Sequence, residues 1–163
     1  MKPYIKYLWY VIRHKYFVAR ACFRHGLYWQ GLVHDWHKFR PCEFGPYARH
    51  FYGSGRNIST GRDKSGYYKP TDTGDKAFDM AWLFHARMGK HHWQFWAMAD
   101  VAEIKAFDIP DKYVMEMLCD WEGAGKAQGR IVPLKEWYET NSMKMILSPG
   151  TRSAIREKLS LFK

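Results

Sequence analysis

The chain has 163 residues, 47% apolar and 26% charged, which suits one domain with a real core and excludes wholesale disorder. Twenty-six Lys and Arg against 16 Asp and Glu leave a formal charge of +10, which draws the protein toward phosphate-bearing partners. Three cysteines, Cys22, Cys42 and Cys119, form no CxxC pair, so the sequence predicts free thiols and a reducing cytoplasm rather than a disulfide framework.

Residues 3–25 read as a first helix stopped by Gly26. Lys2, Lys6, Arg13, Arg20 and Arg24 fall within about 40° of one another at 100° per residue and mark the wet face. Tyr4, Tyr7, Val11, Val18 and Cys22 mark the opposite, buried face; His14 lies at its edge and Lys15, unexpectedly, within it. The longest uncharged run here, Tyr7 to Ile12, is far short of a bilayer span or a signal-peptide core, so neither secretion nor a membrane partner is expected.

A short second helix follows over 29–39, and Pro41 opens a third through Tyr52. Gly53 to Gly74 is rich in Gly, Ser, Thr and charge and reads as a long loop, a type often used as a lid. A fourth helix is expected over 73–88, with Asp72 or Thr73 as cap and Gly89 as stop, and a short fifth over 92–99. Pro110 opens a sixth that ends before Gly123, Pro133 a seventh, and Ser148-Pro149 caps an eighth. No stretch shows a convincing alternation of β-branched residues, so the class is all-α: one compact helical bundle over 1–163.

The chemistry concentrates around His34-Asp35. An apolar lead-in followed by His-Asp-x-x-Lys offers nitrogen and oxygen together, a set that divalent Zn, Mn, Fe or Co accepts. Lys38, four residues after His34 on the same helix face, is placed to neutralise phosphate charge. Glu43, near the start of the third helix, is placed to orient a water or a ligand histidine, although the helix dipole alone also explains an acid there. Lys15 suits either a phosphate contact or a stem reaching for the surface. His37 reads as a surface residue, His25 as a cation at a helix end, and His50 as an extra ligand candidate of low rank. Trp82, Trp93, Trp96 and Trp121 read as core packing, and Gly123 to Arg130 as a helix stop and loop.

The order His14, His34-Asp35-x-x-Lys38, His85 with His91-His92, then Asp120, all on expected helices, resembles the HD-domain superfamily of metal-dependent phosphohydrolases. The likeness is closest to an uncharacterised family of small phage and bacterial HD-like proteins. It rests on Arg13-His14-Lys15, His34 to Phe44, Trp82 to Trp93 and Asp120 to Gly125. The resemblance implies an HD-like helical bundle in the cytoplasm, the host's if the protein is phage-encoded. It also implies one divalent ion on His14, His34, Asp35 and Asp120. A second would lie on His85 and His91 or His92, with Asp35 bridging; Mn, Fe, Co, Zn and Mg are all candidates. With one ion, His85 and His92 would instead contact substrate. The implied reaction is hydrolysis of a nucleotide or similar small phosphate ester, with Asp35, Lys38 and Glu43 as catalytic candidates and Lys15, Lys38 and His92 as substrate contacts. Two competing readings are a di-iron oxygenase on the same fold and a basic nucleic-acid binder or nuclease.

Overall fold

The computed structural model describes residues 2–57, 61–68, 72–130 and 132–162. Seven α-helices occur among them: α1 (Lys2–Arg24), α2 (Tyr28–Val33), α3 (Pro41–Tyr52), α4 (Lys76–Met88), α5 (Asp111–Ala127), α6 (Leu134–Asn141) and α7 (Pro149–Leu159). The fold is mostly helical, as expected, with one addition. Ala97–Ala99 (β1) and Ile104–Ala106 (β2) pair as an antiparallel ribbon, Met98 opposite Lys105. The expected helix at 92–99 is therefore a single 3-10 turn, Trp93–Trp96, running into β1.

α1 lies along α5 and also touches α3, which in turn packs on α4. The α1–α5 contact depends on Gly123. A Cβ there would sit 2.7 Å from the Val18 backbone nitrogen and 2.5 Å from its Cγ2. The sequence reading ended the sixth helix before this glycine, but α5 continues through Gly123 and Gly125 to Ala127, with Gly129 (φ +73°) beyond it. Packing outweighs the low helix propensity of glycine, because only a missing side chain lets the two backbones meet. Val18, Ala21, Cys22 and Cys119 fill the seam between them, the cysteines as free thiols.

Two larger apolar clusters flank that seam. Tyr7, Val11, Tyr47, Phe51 and Phe78 join α1, α3 and α4, and Val114, Leu118, Trp137, Tyr138 and Ile155 join α5, α6 and α7. Tyr4 is 39% exposed, against expectation: its ring stacks 6.4 Å from that of Phe44 on α3, and its hydroxyl accepts from Arg49. α4 starts at Lys76, capped by Asp75 rather than by Asp72 or Thr73: the Asp75 carboxylate accepts from the Phe78 amide at 3.2 Å. Thr73 instead donates through Oγ1 to Asp79 at 2.7 Å. The Ser148 cap and Pro149 start of α7 are as expected. His25 is half-buried at the end of α1, its ring 4.6 Å from that of Phe162, and burial together with Arg24 pushes its pKa down.

Of the expected loop at 53–74, positions 58–60 and 69–71 lie outside the described residues. Its described middle is pinned. Asp63 Oδ1 accepts from the amides of Ser65 and Tyr67, and Lys144 donates to its Oδ2 at 2.8 Å. An isolated bridge links Arg62 to Tyr68.

Gly123→Val is expected to lower unfolding free energy by about 1–3 kcal/mol through overpacking. Gly45→Ala in α3, where the nearest neighbour is the flexible Arg49 guanidinium, is expected to be neutral or mildly stabilising. Urea unfolding of both variants beside the parent checks the contrast.

Candidate metal centre

The short helix expected over 29–39 is broken in the middle. α2 ends at Val33, His34 is extended, and Asp35 takes the left-handed conformation (φ 53°, ψ 30°) before a 3-10 turn over Trp36–Phe39. Aspartate is among the few non-glycine residues that enter this region readily. The break frees the His34 carbonyl, and the Lys15 ammonium caps it at 2.5 Å while lying 4.8 Å from the Trp36 ring centroid. That contact accounts for a lysine on the inner face of α1. Lys38 does not follow His34 on a helix face as expected; the turn folds its ammonium back onto Asp35 Oδ2 at 2.5 Å.

The break delivers Asp35, 3% exposed, into a cluster of buried polar side chains. Its two oxygens face different partners. Oδ2 lies 3.5 Å from His14 Nε2 and 3.3 Å from His34 Nε2; both nitrogens lie 3.3 Å from Asp120 Oδ1. Oδ1 lies 3.3 Å from His91 Nε2 and 3.5 Å from His37 Nε2. These separations match the edge of a tetrahedron with metal–nitrogen bonds near 2.1 Å, about 3.4 Å. His14, His34, Asp35 and Asp120 form one group able to hold an ion, and Asp35 shares further groups with His91 and His92 and with His37 and His85. α1, the α2–α3 break, α4 with the turn after it, and α5 each supply ligands.

Two more carboxylates orient the histidines from behind. Glu116 Oε1 lies 3.3 Å from both His34 Nδ1 and His91 Nδ1. Glu43 accepts from His37 Nδ1 at 2.8 Å, and its other oxygen lies 2.9 Å from His85 Nδ1. A carboxylate on Nδ1 fixes the tautomer that turns the Nε2 lone pair toward an ion. Glu43 therefore has a role that the helix dipole alone did not require.

Glu116 was missed and His37 misplaced. Glu116 is four residues before Asp120, so the two share a face of α5 that is otherwise apolar; that spacing was the available signal. His37 enters the cluster because the break at Asp35 reorients everything after it. His50 does not join: it stacks flat on Phe78 (3.7 Å, 9°) on the α3–α4 side.

The donor set fits a divalent ion. His14 Nδ1 and Nε2, Asp35 Oδ1, His91 Nε2 and His92 Nε2 are buried with no hydrogen-bond partner, an arrangement that is costly unless a cation gathers them. Four buried carboxylates, Asp35, Glu43, Glu116 and Asp120, face one buried ammonium, Lys38, among the described residues. Nitrogen and oxygen donors without thiolate suit Zn, Mn, Fe or Co.

The charges set the protonation. Burial opposes a charged His34, but Asp35, Asp120 and Glu116 outweigh it and hold its pKa well above the ordinary value. His91 is raised by the same contest. Burial, then His91 and His85, push His92 far down, and burial with Lys38 lowers His85 to about 4. Burial would raise Glu43 and Glu116, yet their histidine partners bring each to about 2.

The cluster opens on a cavity of roughly 950 Å³, its mouth included, reached by His14, Lys38, His85, His92 and Asp120. Trp82, Trp93 and Trp121 line it as well as packing on the core, while Trp96 only packs. Lys15 does not reach this cavity.

A family model described as a family of unknown function, DUF5662, matches residues 4–161. The chain belongs to that family. No curated protein and no solved structure matches it. Among the described residues no helix is long and apolar enough to cross a membrane.

Asp35→Asn is expected to abolish tight metal binding, read as metal per chain by elemental analysis. Glu116→Gln is expected to keep the stoichiometry at saturation while weakening affinity by about 10–100-fold. Without an ion His34, its pKa held well above the ordinary value by Asp35, Asp120 and Glu116, is protonated, so metal uptake releases protons and affinity falls as pH drops. Titration calorimetry in buffers of different ionisation enthalpy measures that release; an enthalpy independent of buffer would contradict the assignment.

Proposed function

We propose that this DUF5662 protein is a metal-dependent phosphohydrolase of the HD type, acting on a nucleotide or similar small phosphate ester. The observation that carries the reading is Asp35, whose two oxygens face separate histidine sets beside an open cavity. That is the arrangement expected of a carboxylate shared by two ions. Bound divalent ions there would supply Lewis acidity that brings the pKa of water toward neutrality and polarises a phosphoryl oxygen.

The chain's own residues have separable tasks in this reading. His14, His34, Asp35 and Asp120 would hold one ion. His37, His91 and His92 surround the other oxygen of Asp35, with His85 beside them. Glu43 and Glu116 accept at Nδ1, so that the Nε2 nitrogens are the ones turned toward an ion. Lys38 stays charged because Asp35 and Glu43 outweigh the cost of its burial. It lines the cavity 3.2 Å from His85 Nε2, placed to meet negative charge that builds on a phosphoryl group. The net charge of +10 favours an anionic substrate arriving from solution.

Metal-loaded protein is expected to release phosphate from at least one member of a panel of nucleoside mono- and triphosphates and cyclic nucleotides. Lys38→Met is expected to lower kcat by about 10²–10³-fold with metal content unchanged. Metal-replete protein that releases no phosphate across the panel, but holds iron and consumes dioxygen, would overturn the hydrolase in favour of the oxygenase.

A further inference from the structure

The cavity does not end at the metal cluster. Asp120, Ala124 and Gln128 line it from one face of α5 and just past its end, so it runs on for about 12 Å of helix rise. Tyr10 follows the same course on α1: its ring stacks toward His14 (6.0 Å) at one end, and its hydroxyl accepts from Gln128 Nε2 (3.4 Å) at the other. At the far end stand Arg130 and Arg62.

Arg130 is held, not loose. Its amide donates to the Gly125 carbonyl at 2.9 Å, and its guanidinium lies 5.3 Å from the Trp137 ring centroid. Two glycines make room for it. A Cβ on Gly66 would come within 3.2 Å of Nη1, and one on Gly125 within 3.4 Å of Nη2. Yet Nε and Nη1 are buried and make no hydrogen bond. The charged or ionisable groups acting on Arg130 are Arg62 and the Tyr10 hydroxyl; burial and Arg62 together lower its pKa to about 10, so it remains charged at neutral pH. Arg62 is fixed on the neighbouring segment, donating to the Gly66 carbonyl at 3.2 Å with its guanidinium 5.5 Å from the Tyr68 ring centroid. The Arg130 guanidinium, charged, with unused buried donors and a like charge beside it, is costly in a half-enclosed aromatic cavity unless an anion joins it. A guanidinium fork is the side chain best shaped for a phosphate-like oxyanion.

We propose that Arg130, with Arg62 beside it, forms a second oxyanion subsite, so that the cavity takes a small molecule carrying two anionic groups. One is the ester at the metal end; the other is a phosphate-like group at the arginine end, with the body between them against Tyr10, Trp82 and Trp121. The first half rests on the phosphohydrolase reading, whereas the arginine subsite stands on its own geometry.

The test uses full-length protein stripped of metal with chelator, and inorganic phosphate as the probe. Thermal midpoints are followed against phosphate concentration, with sodium chloride matched for ionic strength. The parent and Asp35→Asn are expected to rise saturably. Arg130→Gln is expected to bind phosphate at least tenfold more weakly, Arg62→Gln to be weakened less, and Arg130→Lys to recover part of the loss. Circular dichroism checks that each variant folds; should Arg130→Gln not fold, Arg130→Lys and Arg62→Gln carry the comparison. Phosphate binding of parental strength in the folded arginine variants, or none in the parent, would overturn the subsite. Either result leaves the hydrolase reading to its own assay. Conversely, a protein that hydrolyses no ester but binds phosphate through Arg130 would keep the subsite and lose the hydrolase.

Discussion

A carboxylate that is 3% exposed, on a residue whose backbone is left-handed, is the constraint around which the rest of this protein is arranged. Burying Asp35 is unfavourable unless positive charge surrounds it on every side. Lys38 supplies one such charge, and histidines from α1, the α2–α3 break and the turn after α4 stand around the remaining directions. Each of those elements must arrive at the correct height for the cluster to close. The tight α1–α5 seam at Gly123 sets one such height, because Asp120 is one helical turn before it and His14 one turn before Val18.

The histidines alone would not be a defined site. An imidazole can rotate and change tautomer, and each change moves a lone pair by several ångströms. Glu43 and Glu116 remove that freedom by occupying Nδ1 of four rings in two pairs. The price is an excess of buried negative charge, which is the electrostatic reason this cluster calls for cations. Stability and ion affinity are thereby linked, since the same groups that would be least comfortable alone are those an ion would gather.

Much of this was legible in the sequence, and the failures share a cause. Helix periodicity located α1 and put His14 at the edge of its inner face, while Pro41 and the Ser148-Pro149 cap located the starts of α3 and α7. The pairing of His34 with Asp35 could be read from residue type; their association with Asp120 was only implied by the resemblance to the HD-domain superfamily. What periodicity could not convey was departure from periodicity. The left-handed turn at Asp35 rotated His37 inward, and close backbone packing carried α5 through two glycines that otherwise resemble a stop. Glu116 was passed over because an acid in a helix is ordinarily solvated; its position one turn from Asp120 was the hint. The ribbon of β1 and β2 is too short, and too poor in β-branched residues, to leave a pattern.

The segment Gly61–Tyr68 adds a consequence of its own. Asp63 gathers two amides of this segment onto one carboxylate oxygen, and Lys144 anchors the other, so the segment behaves as a small prefabricated tile clamped to the end of α6. Arg62 and Gly66 ride on that tile. One wall of the cavity therefore hangs on Lys144, a residue far along the chain that does not itself line the cavity.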